Sequence, residues 1–302
     1  MNYRFLVNNK KDKKVLIMWL VGYKPDLWDK VFNRFIKYIN IDADICLVSS
    51  GLSNDKLISL AKTNNWSYMT TTENNLCLAQ NECIAYHKNA EYIFKIDEDI
   101  FVTKNSFSNL FEEFKLLETS SNYVPGAIVP MININANCLP DLLKLTCHYN
   151  SYYNRFGRPY VSDGRTHHND ITFNAEISKW IWSNIDIDDD NIIHNNISMC
   201  LNDDVIDTTY KRVSIIGTRF SIGMILFKRD VWENMGMFPY TPNDELEYKR
   251  IGLGEDEKAL CTYCMLKARP IFMLNNTLVG HLSYGPTTDE MMSFFFEHQE
   301  LF

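Results

Sequence analysis

Short apolar runs alternate with longer, helically spaced segments along the first half of the chain. The runs VLIMWLV, ADICLV, WSYMTT, EYIFKI and GAIVPMI predict five strands. Between the first two runs, Leu27, Val31 and Phe35 recur every four residues, as on one face of a helix, and Pro25 suits its first turn. This alternation predicts an α/β fold with a Rossmann-like, mixed but mainly parallel sheet that is covered by helices on both faces.

The middle of the chain breaks this alternation. Residues 138–210 are rich in Tyr, His, Asn and Asp, and their bulky aromatic side chains indicate a folded insertion or subdomain and not a linker. After it, MILFKRDVWEN returns to strand and helix character, GEDEKALCTYCMLKA has the character of a helix, and RPIFMLNNTLVGHL that of a last strand. We therefore expect one domain over residues 1–302, with halves at 14–135 and 212–302 around the insertion.

Composition narrows the classes of function. The formal net charge is -8 at pH 7, which argues against charge-driven binding to nucleic acid. No apolar run approaches the roughly 20 residues of a transmembrane segment, and VLIMWLV, which follows four lysines, has no cleavage site for a signal peptide after it. The eight cysteines are irregularly spaced, as in proteins with reduced thiols. We expect a cytoplasmic protein, and peripheral contact with a membrane stays open.

An acidic stretch follows the fourth apolar run. Asp97, Glu98 and Asp99 come directly after EYIFKI, where buried carboxylates are costly unless a cation meets them. In an extended segment Asp97 and Asp99 point to one side and Glu98 to the other. Because ligands bind at the carboxyl ends of strands in parallel sheets, the two aspartates are candidate ligands for Mg²⁺ or Mn²⁺. The alternative is a solvated strand end, since D-x-D is common by chance.

Two further candidates lie far away in the sequence. His281 ends the last predicted strand, where an imidazole is either a hydrogen-bonded structural residue or an additional ligand for Mn²⁺. Glu255, Asp256 and Glu257 follow a glycine-rich turn and begin a predicted helix. They either interact with the helix dipole or supply a general base for an incoming hydroxyl group. The sequence has neither a G-x-G-x-x-G fingerprint nor a Walker A loop.

Taken in order, these features resemble the metal-dependent nucleotide-sugar glycosyltransferases of the GT-A fold. The resemblance rests on the alternating N-terminal half, KIDEDIFV as a D-x-D strand end, GEDEKAL as an acidic acceptor-site motif and VGHL as a late histidine. The pattern K-x-D-x-D-x-F-V is locally similar to galactosyltransferase and fringe types, and the acidic helix start suits inverting bacterial transferases. The similarity covers about residues 14–135 and 212–286.

The resemblance implies a role for each candidate residue. Asp99 would be the principal ligand of Mn²⁺ or Mg²⁺, His281 would complete the metal site, and Asp97 would bind the ribose of the nucleotide or the water shell of the metal. Asp256 would be the catalytic base, with Glu255 as the alternative. The nucleotide would be bordered by residues that follow the first two strands: Val21, Gly22, Tyr23, Ser49 and Ser50.

The resemblance also implies the reaction and its partners. Residues 14–135 would bind a nucleotide-sugar donor, with a UDP-sugar favoured, and residues 212–302 would bind a glycan or lipid-linked glycan acceptor, as in polysaccharide biosynthesis. A carboxylate that acts as the general base favours inversion at the anomeric carbon. Many members of this family bind the nucleotide base through an acidic residue after the second strand. This chain has SSG there, at residues 49–51. The alternatives are a nucleotidyltransferase, which usually has a basic, glycine-rich phosphate loop, and a non-catalytic glycan-binding protein, which has no need of these acidic residues together.

Overall fold

The computed structural model describes residues 2–159, 169–189, 212–240 and 254–302. Part of the expected insertion at 138–210 therefore lies outside the described residues. Within these ranges, no helix combines the length and the apolarity that a membrane crossing needs. The seven cysteines of the same ranges are all free thiols.

Ten strands of the described residues form one sheet. They are β1 (Tyr3–Val7), β2 (Val15–Leu20), β3 (Asp44–Ser49), β4 (Ser67–Thr71), β5 (Tyr92–Asp97), β6 (Ile100–Phe101), β7 (Ala127–Ile132), β8 (Val213–Ile216), β9 (Met224–Lys228) and β10 (Ile271–His281). The order across the sheet is β1-β4-β3-β2-β5-β9-β7-β10-β6, and β8 also pairs with β10. All five strands predicted for the first half are present.

The centre of the sheet is parallel. Strands β4, β3, β2 and β5 run in one direction, and β7 pairs with β10 in parallel. Strand β9 lies antiparallel between β5 and β7, and the edge strand β1 is antiparallel to β4. The predicted mixed, mainly parallel sheet is therefore confirmed.

Helices connect the strands and pack against the sheet. In the described ranges they are α1 (Trp28–Tyr38), α2 (Asp55–Thr63), α3 (Leu76–Tyr86), α4 (Ser106–Ser120), α5 (Leu139–Leu145), α6 (Tyr149–Phe156), α7 (Asn169–Phe173), α8 (Ala175–Asn184), α9 (Arg229–Asn234), α10 (Glu255–Leu266) and α11 (Thr288–Glu297). A short 3₁₀ helix, Pro25–Leu27, precedes α1, so the predicted proline lies one turn before the α-helix itself.

The two faces of the sheet can be followed through side-chain contacts. Trp19 of β2 stacks on Phe35 of α1 at 4.2 Å between ring centroids, and Phe35 meets Phe107 of α4 at 5.3 Å. Helices α1 and α4 therefore share one face. Side chains alternate along a strand, so Lys95 of β5 points to the opposite face. On that face Gln80 of α3 donates a hydrogen bond to Asp256 of α10, and helices thus cover both faces.

The pairing of β6 with β10 positions the end of the last strand. His281 lies opposite Ile100, and the backbone N–H of Leu282 donates to the carbonyl of Asp99 at 3.2 Å. Gly280 permits Trp182 to pack closely against this strand, because a Cβ atom there would lie only 2.3 Å from Cη2 of Trp182. The late histidine is therefore held beside the acidic stretch, although His281 follows Ile100 by 181 positions in the chain.

Candidate active site

A cavity of about 510 Å³ opens at the carboxyl edge of the parallel strands. Loops after β2, β3 and β5, the start of α10 and the segment after β10 form its wall. The lining includes the acidic residues and the histidine that the sequence singled out, except Glu255: Asp97, Glu98, Asp99, Asp256, Glu257 and His281. This is the edge at which ligands of parallel α/β sheets bind.

Glu98 anchors the loop that follows β2. Its carboxylate accepts hydrogen bonds from the backbone N–H of Gly22 and of Tyr23, each at 2.9 Å, and from the indole N–H of Trp28 at 2.9 Å. The side chain is buried, and charged acceptors make the stronger hydrogen bonds of proteins. Glu98 therefore fixes one wall of the cavity.

Asp99 meets two basic side chains inside the cavity. Its Oδ2 atom contacts the Lys24 ammonium and lies 3.2 Å from Nε2 of His281. Burial favours the neutral acid and by itself raises the pKa of Asp99, but the His281 imidazole and the Lys24 ammonium outweigh it and hold this pKa well below its usual value. Asp99 is thus a buried, ionised carboxylate at the cavity wall.

The expectation that Asp97 and Asp99 share one extended segment is wrong. Strand β5 ends at Asp97, and Glu98 and Asp99 form a turn before β6. The backbone turns there because Glu98 binds the loop after β2 while β6 pairs with β10. Asp97 instead forms an ion pair with Lys95, at 2.8 Å between Oδ1 and Nζ. Both aspartates still line the same cavity.

Lys95 is a site residue that the sequence interpretation missed. Its buried ammonium donates to the carbonyl of Ile222 at 2.9 Å, binds Asp97, and lies 3.9 Å from Oδ2 of Asp256. The signal was present in the sequence, since Lys95 interrupts an apolar strand two residues before Asp97 and therefore points to the same side. Lys95 joins the acidic strand end to the acidic helix start.

The three acidic residues at the start of α10 have different surroundings. Asp256 is buried in the cavity wall and accepts a hydrogen bond from Nε2 of Gln80 at 2.9 Å. Glu257 pairs with Arg219, although burial still raises the pKa of its carboxyl. Glu255 lines a different surface cleft, together with Met235 and other side chains. The geometry brings Asp256, and not Glu255, to the predicted cavity.

The residues predicted to border the nucleotide divide into two groups. Val21, Tyr23 and Ser50 line the cavity, and the Tyr23 hydroxyl donates to the carbonyl of Ser50. The Ser50 hydroxyl oxygen is buried and has no hydrogen-bond partner among the described residues. Gly22 and Ser49 face other groups: the Gly22 N–H binds Glu98, and the Ser49 hydroxyl donates to the carbonyl of Val21 at 2.8 Å.

The fit to a divalent ion can be tested on Asp99 and His281. No group of three His, Cys, Asp or Glu side chains in the described part of the chain is arranged to hold a metal ion. Two ligand atoms at right angles around an octahedral ion, each about 2.1 Å from it, lie about 3 Å apart. The 3.2 Å between Oδ2 of Asp99 and Nε2 of His281 fits this arrangement. Such ions are commonly held by one or two protein ligands, with water and substrate phosphates completing the shell.

Comparison with known proteins gives similarity in structure only. No protein-family model and no curated protein matches the sequence. The structure of GalNAc-T7 with UDP, GalNAc and Mn²⁺ is 14% identical, covers 89% of this chain and has a TM-score of 0.47. The mannosyltransferase PcManGT from Pyrobaculum calidifontis, in complex with GDP-Man and Mn²⁺, is 10% identical, covers 92% of this chain and has a TM-score of 0.45.

Both similar structures have TM-scores below 0.5, and neither assigns a family or an activity to this chain. This chain spans 43% of the GalNAc-T7 chain and 59% of the mannosyltransferase chain. Any chemistry assigned to this chain therefore depends on its own cavity.

Proposed function

We propose that this chain is a glycosyltransferase that moves a sugar from a nucleotide-sugar donor, preferably UDP-linked, to a hydroxyl group of a glycan or lipid-linked glycan. The observation that carries the proposal is the cavity at the sheet edge. It gathers Asp97 and Asp99, Asp256 and His281 from three segments that are distant in sequence. A non-catalytic binding protein has no need of such buried carboxylates, because each must be compensated by a partner.

Asp99 and His281 would hold a divalent ion, Mn²⁺ or Mg²⁺, in this function. When bound, such an ion stabilises the negative charge that develops on the phosphate oxygens of the departing nucleoside diphosphate. Val21, Tyr23 and Ser50 lie on the same wall, where they would border the nucleotide. Glu98 keeps that wall in place through the backbone of Gly22 and Tyr23.

Asp256 would act as the general base. The acceptor hydroxyl loses its proton to the Asp256 carboxylate while its oxygen forms a bond to the anomeric carbon, and the bond from that carbon to the diphosphate oxygen breaks. Gln80 fixes the orientation of the carboxylate through Oδ2. A single in-line displacement of this kind inverts the anomeric centre.

Calorimetric titration with UDP, with and without Mn²⁺, tests the proposal. The wild-type protein should bind UDP in a Mn²⁺-dependent manner, and Asp99→Ala should lose that dependence. Asp29→Ala is the matched control, because Asp29 is an exposed aspartate paired with Lys56 on the surface. If the wild type shows no Mn²⁺-dependent binding of UDP or GDP, the transferase assignment is wrong. If the wild type does bind UDP or GDP in a Mn²⁺-dependent manner, a panel of nucleotide sugars assayed for slow hydrolysis identifies the donor.

A further inference from the structure

We propose that Lys24 is an exchangeable internal cation that competes with the divalent ion for Asp99. This inference rests on the proposed metal-dependent function. In the proposed exchange, the Lys24 ammonium must leave the Asp99 carboxylate before the divalent ion binds. The released ammonium then pairs with the phosphates of the donor. Lys24 would thus be a positioning residue that couples binding of the metal to binding of the nucleotide.

The first argument is that both cations require the same atom. The Lys24 ammonium contacts Oδ2 of Asp99, and Nε2 of His281 approaches that same oxygen at 3.2 Å. An ion held by Asp99 and His281 would therefore lie close to the position of the ammonium. Two cations on one oxygen repel each other, and in a partly buried site water screens this repulsion only weakly.

The second argument is that Lys24 can leave. Its side chain is 29% exposed, whereas that of Asp99 is 4% exposed, so the ammonium reaches solvent and the carboxylate does not. The backbone beside it is held by Glu98 through the N–H of Tyr23. A lysine ammonium is a compact charge on a flexible stem of four carbons. The exchange therefore needs a change of side-chain rotamer and no movement of the loop.

The third argument is the balance of charge in the cavity. Lys24 pairs with Asp99 and thereby offsets one of the carboxylates that face the cavity. A divalent ion and a diphosphate arrive with opposite charges, and the displaced ammonium offsets part of the phosphate charge. The two ligands are therefore expected to bind with positive coupling, part of which passes through Lys24.

The test is a titration of Mn²⁺ into the full chain without nucleotide, with free Mn²⁺ followed by electron paramagnetic resonance. Lys24→Met removes the competing charge and should raise the affinity for Mn²⁺ by about tenfold or more, as expected when a neighbouring unit charge is removed from a poorly screened site. Lys24→Arg keeps the charge and should bind Mn²⁺ as weakly as the wild type. Lys62→Met, at an exposed lysine of α2, is the matched control and should change nothing.

A second titration separates competition from simple stabilisation. With Mn²⁺ in excess, Lys24→Met should bind UDP more weakly than the wild type, because the phosphates lose a cationic partner. Equal Mn²⁺ affinity in the wild type and Lys24→Met, or weaker binding in the variant, overturns the proposal. The proposal is also overturned if neither the wild type nor Lys24→Met binds Mn²⁺. Circular dichroism of each variant identifies a folding failure.

The outcomes also separate this inference from the proposed function. If Mn²⁺ binds equally to the wild type and Lys24→Met but is lost in Asp99→Ala, the exchange is wrong and the metal-dependent transferase stands. If Lys24→Met gains affinity for Mn²⁺ while the wild type binds and hydrolyses no nucleotide sugar, the exchange stands and glycosyl transfer is wrong.

Discussion

Two lysines meet the two aspartates of the acidic stretch, and their surroundings differ. Lys95 is enclosed: its side chain is 4% exposed, and its ammonium binds a backbone carbonyl and Asp97 and lies near Asp256. Lys24 reaches solvent, and its ion-pair partner in the cavity is Asp99. Both pairs unite opposite charges beside the same cavity, but of the two lysine side chains Lys24 is the one that reaches solvent.

This difference shows how one cavity can combine a fixed charge with a replaceable one. A buried ion pair is costly to break because the remaining charge has no solvent to receive it. In the Lys24–Asp99 pair, water can receive the ammonium, and His281 remains 3.2 Å from the same Asp99 oxygen when the lysine leaves. Lys95 therefore suits a structural role that keeps Asp97 and Asp256 in place, and Lys24 suits a role that changes when ligands bind.

The largest expected effect concerns Asp256, which lies near Lys95 and is the general base of the proposed function. Asp256→Asn keeps the size of the side chain but removes its capacity to accept a proton. The turnover number should fall by about 10²–10⁴, the usual contribution of a general base. The measurement is the initial rate of sugar transfer at saturating donor. Glu255→Gln is the contrast, because Glu255 lines a different cleft and should reduce the rate far less.

A direct comparison of the two lysines is the next largest effect. Lys95→Met leaves Asp97 and Asp256 without their buried cation and should lower the free energy of unfolding by about 3–5 kcal/mol. Lys24→Met should lower the free energy of unfolding by less, because His281 still lies 3.2 Å from Oδ2 of Asp99 after the lysine is removed. Urea denaturation of both variants, with the wild type as reference, measures the difference. Equal destabilisation by the two substitutions would contradict the distinction between a fixed and an exchangeable cation.

Glu98 lies between the two aspartates in the chain and binds the backbone of Gly22 and Tyr23, next to Lys24. Its replacement is expected to have the smallest of the three effects. Glu98→Gln weakens the hydrogen bonds from Gly22, Tyr23 and Trp28, because an amide lacks the charge and presents one acceptor oxygen. We expect the free energy of unfolding to fall by about 1.5–3 kcal/mol, the range for hydrogen bonds to charged groups. Urea denaturation measures it, with the exposed Glu112→Gln as control. A change as small as that of the control would show that Glu98 does not anchor the loop.

Local sequence patterns determined most of the elements. The apolar runs and their spacing predicted β2 to β5, β7 and the helices between them, because burial of one face requires a period that each segment carries by itself. The same reasoning located His281 at the end of a strand and Asp256 at the start of a helix. Strand β9 could be predicted, but not its antiparallel place between β5 and β7, because a fully buried strand has the same apolar run in either direction.

Only the tertiary structure decided which charges meet. The D-x-D pattern predicted two aspartates on one side of an extended segment, yet the turn at Glu98 and Asp99 separates them and gives each a different lysine. Lys24 precedes Asp99 by 75 residues, and His281 reaches it through the pairing of β10 with β6. The spacing of apolar residues is contained within one short segment of the chain. An ion pair instead depends on how loops that are distant in sequence meet at the edge of the sheet. The sequence by itself therefore determined the strand and its acidic end, and the fold decided the partner of each carboxylate.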